Sequence, residues 1–178
     1  TEHKHLKRLS RVWIPNAVYF ITACTYNRQR ILASQNTAEI IRRELSSAKD
    51  LHGWLVGRYM IMPDHVHFFC AESSPGTGHS LSVFMRGWKE WTSKAICQSG
   101  SVSSPVWQKE YFDHVMRSGE SYREKWIYVR DNPLRAGLVK RGEEWPYQGF
   151  VNFDAPSGLE NNNAAVTARG YSFQIVLS

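Results

Sequence analysis

Residues 54–71 read WLVGRYMIMPDHVHFFCA. Two apolar runs, 54–62 and 65–71, are separated only by Pro63-Asp64. Proline presets φ for a turn and aspartate can bond its own backbone, so the stretch predicts a tight antiparallel hairpin. On its second strand, residues i and i+2 share a face. His65 and His67 therefore project together, about 6–7 Å apart at the backbone, and Val66 points to the opposite face.

The flanking segments extend the pattern. AVYFITACTYN (17–27) is rich in β-branched and aromatic residues and reads as a strand. In 36–53, Ile40, Ile41, Leu45, Ala48 and Leu51 recur at helical spacing. Asn36 or Thr37 is the expected cap of that helix and Gly53 its stop. Residues 72–80 read as a loop. A second helix is expected over 81–98, with Leu81, Phe84, Met85, Trp88, Trp91, Thr92 and Ala95 on one stripe and both tryptophans in the core.

Residues 106–117 begin extended and predict a strand. A serine-glutamate capping signal then opens a helix over 118–132, and Pro133 breaks or restarts it. Residues 133–147 read as a short helix, a glycine stop and a return to the core. The order β-α-β-β-α-β followed by a helix is that of an α+β, ferredoxin-like split βαβ fold. Such a fold is an antiparallel sheet with helices on one face, here with an added C-terminal helix. One domain is expected over 1–150, and 151–178 is a polar tail that is flexible or docks near the site.

The chain has 178 residues, 42% hydrophobic and 21% charged, a balance that excludes a disordered chain. No apolar run has the length of a membrane span, and TEHKHLKRLSRVW at the N-terminus lacks the apolar region of a signal peptide. Cys24, Cys70 and Cys97 form neither a disulfide framework nor a zinc ribbon, so a cytoplasmic location is expected. The net charge of +6 and pI near 9.3 favour a polyanionic partner. Cations interleaved with aromatics suit a nucleic-acid strand, and the candidates for DNA contact are Arg28, Arg30, Arg86, Lys89, Arg117, Arg123, Arg130 and Arg135.

A His-x-His pair is an incomplete metal site, and two partly buried histidines give the same pattern. The 118–132 helix carries Tyr128 and Asn132 on one face at i and i+4. The tyrosine is either a nucleophile or a core aromatic; the asparagine is either a ligand or a cap for the segment opened by Pro133. His114, or Asp113 beside it, is a further polar candidate in FDHVMR, and Asp64 either orients a ligand or makes the turn, the turn being favoured.

MPDHVH, the block WQKEYFDHVMRSGESYREKWIYVRDNPLRAGLV and WPYQGF together resemble the REP-associated tyrosine transposases, a branch of the histidine–hydrophobic–histidine (HUH) single-strand nucleases. The likeness covers about residues 12–150. It implies Tyr128 as nucleophile, with His65, His67 and Asn132 holding a divalent ion, Mg²⁺ or Mn²⁺, although imidazole suits zinc, copper, iron or nickel better than magnesium. Many insertion-sequence relatives carry glutamine at the third ligand position, and asparagine is shorter. The implied substrate is a REP-type DNA hairpin with a single-stranded flank, cut through a 5′-phosphotyrosine. The implied setting is a monomer in the nucleoid, with the tyrosine helix in cis rather than exchanged in a dimer. A non-catalytic ferredoxin-like nucleic-acid-binding module is the alternative reading of the same chain.

Overall fold

The structure, a computed structural model, describes residues 17–100, 102–116 and 119–155. Arg117, Ser118, the N-terminal basic segment and the YSFQIVL stretch lie outside them. Five strands form one antiparallel sheet: β1 (Val18–Cys24), β2 (Trp54–Met62), β3 (His65–Glu72), β4 (Phe112–Met116) and β5 (Gln148–Phe150), in the order β4-β1-β3-β2-β5. The first four strands have the split βαβ order, with β3 inserted between β1 and β2. Trp54–Met62 and His65–Glu72 form the hairpin expected from Pro63-Asp64.

Both faces of the sheet are covered. Helices α1 (Gln35–Ser46), α2 (Ala48–His52) and α3 (Leu81–Gln98) follow the strands in the chain. Ile41, Leu45, Phe84, Met85 and Trp88 from this layer pack with Ile21, Val56, Val66 and Phe68 of the sheet. The opposite face carries Phe20, Met60, Met62, Phe69 and Met116, and it is covered by Tyr122, Trp126 and Val129 of α4 (Gly119–Arg130). The helix that bears Tyr128 thus packs on the face where His65 and His67 project, with Leu138, Trp145 and Phe153 beside it. A one-turn α5 (Asn132–Arg135) follows it directly.

Several details depart from the sequence reading. The helix expected over 36–53 is two helices that meet at Ser47, and its cap is Ser34, whose hydroxyl accepts from Thr37 N at 3.3 Å. Gly53 does end it, at φ +74° in the left-handed region open to glycine. Trp88 is core, but Trp91 is 54% exposed and stacks with the Lys94 ammonium. The fifth strand was not expected. The chain also stays folded past Phe150: Asn152 exchanges hydrogen bonds with Val56, and Phe153 is buried. Phe153 sits so close over Gly57 that a β-carbon there would lie 2.5 Å from its ring. Among the described residues no helix is long and apolar enough to cross a membrane.

Candidate metal and nucleophile site

Antiparallel register sets His65 opposite Cys24 and His67 opposite Thr22. Both imidazoles rise from the face under α4, with ring centroids 4.6 Å apart and planes at 79°. His67 also stacks on Phe20 at 5.3 Å. The Nδ1 atom of each ring is already engaged, His65 with Asp64 Oδ1 at 2.7 Å and His67 with Thr22 Oγ1 at 2.8 Å. With the proton on Nδ1, each ring keeps its Nε2 lone pair for an ion, and two neighbouring imidazole nitrogens fit a divalent metal.

The electrostatics keep both rings neutral. Burial, then the charges of His65, Lys125 and Arg28, pushes His67 down to about 3. Burial also lowers His65, partly offset by the hydrogen bond and charge of Asp64. Burial would raise the Asp64 carboxyl, but the His65 hydrogen bond and the charges of His65 and Arg28 hold it below its usual value. A neutral imidazole is the form that binds metal.

Asp64 does more than make the turn. Its backbone oxygen accepts from Thr25 N and Thr25 Oγ1, while its side chain bridges His65 and Arg28, the latter through Nε at 2.9 Å. Arg28 gets there because Asn27 and Arg28 both adopt left-handed backbone, at φ +50° and +54°, a conformation that costs a non-glycine residue roughly 1 kcal/mol or more. Its Nη1 also donates to Cys24 Sγ at 2.7 Å. Arg28, expected as a DNA contact, therefore braces the carboxylate that orients His65.

Tyr128 and Asn132 form a second cluster with Arg135. Tyr128 is 62% exposed. The Arg135 guanidinium lies 4.1 Å from its ring centroid, donates to the Tyr128 carbonyl at 2.8 Å, and donates to Asn132 Oδ1. Asn132 starts α5 but does not cap it, since that position is Asp131. Among the described residues no hydrogen bond or ring contact joins Tyr128 or Asn132 to either histidine. Lys125, on the same helix as Tyr128, reaches toward the histidines. It lies one helical turn before Tyr128, its ammonium is 5.2 Å from the Phe20 ring centroid, and its charge is felt at His67. Sequence reasoning missed Lys125 and Thr22, because cross-strand register and the docking of α4 decide both.

A sequence model of the family described as "Transposase IS200 like" matches residues 14–132. This chain belongs to that family. It is 25% identical over 150 residues to the REP-associated tyrosine transposase of Escherichia coli (strain K12), across 84% of this chain and 85% of that one. Its fold matches a solved REP-associated tyrosine transposase bound to a REP hairpin, with a TM-score of 0.64 at 18% identity, over 97% of this chain and 95% of the other.

The remaining basic candidates of this IS200-like transposase scatter. Arg86 and Lys89 are on α3, in the layer across the sheet from the histidines. They line an open cavity of about 500 Å³ between α3 and residues 104–111. Lys89 donates there to the carbonyls of Gln108, Lys109 and Glu110, at 2.9, 3.2 and 2.9 Å, so its ammonium clamps a loop. Arg30 is exposed beside the Arg28 turn, Arg123 is exposed on α4, and exposed Arg130 lies 3.6 Å from Asp131. In β4, His114 pairs with Phe20 on the histidine face, whereas Asp113 pairs with Ile21 on the other.

Proposed function

We propose that the chain is a metal-dependent single-strand DNA endonuclease and strand-transferase that cuts hairpin DNA through Tyr128. The observation that carries this reading is the location of α4. The helix with the tyrosine packs against the same sheet face from which His65 and His67 project, within one chain. The relation to REP-associated tyrosine transposases, one of them solved on a REP hairpin, supports REP-type hairpins with a single-stranded flank as the substrate.

His65 and His67 would hold the ion through Nε2, and Asn132 would add its amide oxygen. A divalent ion in this place neutralises charge on the scissile phosphate as a nucleophile approaches. The Tyr128 oxygen attacks phosphorus and the phenol proton leaves to water. The P–O bond to the 3′ oxygen breaks and that oxygen takes a proton from water, which leaves a 5′-phosphotyrosine and a 3′-hydroxyl. Because the adduct conserves the bond, a later 3′-hydroxyl can displace the tyrosine without ATP. Mg²⁺ or Mn²⁺ is the ion of this reading.

Tyr122, Trp126 and Val129 anchor α4 on its own sheet, which supports a monomer acting in cis; a DNA substrate would put that monomer in the nucleoid. The catalytic unit would run past residue 150 to include Phe153. Incubation of labelled hairpin DNA with protein and Mn²⁺ tests the function. The expected product is a denaturant-stable adduct that chelator, Tyr128→Phe and His65→Ala each abolish. An equal adduct from Tyr128→Phe removes the assignment, and hairpin binding without any adduct supports a non-catalytic module instead.

A further inference from the structure

Arg135 holds both groups that the reaction needs from the helical side of the site. Its guanidinium covers the Tyr128 ring, and it donates both to the Tyr128 carbonyl and to Asn132 Oδ1. That oxygen is the only side-chain atom through which Asn132 can bind a cation, because the amide nitrogen has no lone pair to give, and its backbone oxygen accepts from Ala136 N. A guanidinium on the ligand oxygen places a fixed positive charge where a divalent ion would have to arrive, and like charges at such range repel.

We infer that Arg135 is an exchangeable latch that couples ion binding at Asn132 to the arrival of DNA. This rests on the reading of His65, His67 and Asn132 as ion ligands. In the DNA-free protein the latch occupies the asparagine oxygen and keeps Tyr128 and Asn132 together as one unit. A DNA phosphate offers the guanidinium a better partner. An anionic phosphate adds charge attraction and two parallel N–H···O bonds that suit the planar fork, neither of which the neutral amide oxygen offers. Arg135 is exposed, so a strand can reach it. Once the guanidinium turns to the phosphate, Asn132 Oδ1 is released to the ion, and the positive charge near it is neutralised. By linkage, DNA then raises ion affinity and the ion raises DNA affinity by the same factor. The full ligand set assembles only when there is something to cut.

Mn²⁺ affinity, read by the electron paramagnetic resonance of the free ion, tests the latch. All titrations use the Tyr128→Phe protein, which keeps the ring under Arg135 but cannot attack DNA. Without DNA, Arg135→Gln should bind Mn²⁺ about tenfold more tightly than the parent, with Arg135→Lys nearer the parent. The gain should shrink in an Asn132→Ala background, where no oxygen is left to release. Saturating hairpin DNA with a single-stranded 5′ flank should tighten Mn²⁺ binding in the parent and much less in Arg135→Gln. Unchanged or weaker binding in Arg135→Gln overturns the latch, as does an equal gain without Asn132 or no tightening by bound DNA. If binding is lost in His65→Ala yet indifferent to residue 135, the latch alone fails. If the parent binds no Mn²⁺, or His65→Ala binds it equally, the ion-site reading fails and the latch with it.

Discussion

Asp64 accepts from His65 Nδ1 at 2.7 Å while its other oxygen is held by Arg28 Nε at 2.9 Å. The carboxylate fixes the rotation and tautomer of the imidazole, so the Nε2 lone pair of His65 has a set direction. Asp64→Ala should weaken Mn²⁺ binding about 10–100-fold, the usual cost of removing such a support. Arg28→Ala should cost less, since half of its side chain is in solvent. Isothermal titration of both variants checks the order, and an Asp64→Ala protein with parental affinity would show that the contact is only structural.

His67 fixes the sign of the acid response of the metal-free protein. Its folded pKa of about 3 lies below the ordinary 6.5. Above pH 6.5 the ring is neutral in both states and stability is fully present. As the pH falls below 6.5, the unfolded chain takes up a proton that the folded chain refuses until about pH 3. Stability should therefore fall by about 1.4 kcal/mol per pH unit across that window, and lowered His65 adds in the same direction. Urea unfolding in chelator from pH 7.5 to 4 measures it. Thr22→Val should also cost about 1 kcal/mol, by leaving His67 Nδ1 without its partner.

Lys89→Met separates a loop clamp from a DNA contact. The ammonium serves the Gln108, Lys109 and Glu110 carbonyls, so its loss should destabilise the protein by about 1–3 kcal/mol. Hairpin affinity at fixed salt should be unchanged. A drop in affinity with a shallower salt dependence would instead make Lys89 a phosphate contact.

Truncation after Phe150 should destabilise the fold, because it removes buried Phe153 and the Asn152 hydrogen bonds to Val56. Phe153→Ala alone should cost about 3 kcal/mol. Gly57→Ala should also be destabilising, since the new methyl group meets the Phe153 ring. Denaturant midpoints test all three, and a truncated protein with an unchanged midpoint would place the end of the folded unit at residue 150.

The hairpin over 54–71 was legible because a two-residue turn joins two apolar runs whose alternation puts both histidines on one side. Residues 81–98 were legible as a helix through Phe84, Met85 and Trp88, while Trp91 misled because it lies at the margin of the stripe. The strand at Gln148–Phe150 gave no such signal: three residues with a central glycine have too little alternation, and only pairing with β2 makes them a strand. The Ser47 break carries neither proline nor glycine. At the site, the spacing of Tyr128 and Asn132 predicts a shared face, but Arg135 reaches both only because α5 continues α4 with one intervening residue. The partnership of His67 with Thr22 depends on register between strands 45 positions apart, which spacing along the chain does not encode.

Val66 and Phe68 are fully buried among α3 and its neighbours, alternating along β3 with the histidines they never touch chemically. A slip of one residue in that strand would turn His65 and His67 into the oily layer and bring a valine and a phenylalanine to the face under α4. The far side of the sheet therefore acts as a ratchet for the near side: ordinary grease, fitted to one notch, keeps both imidazoles on the face that α4 covers.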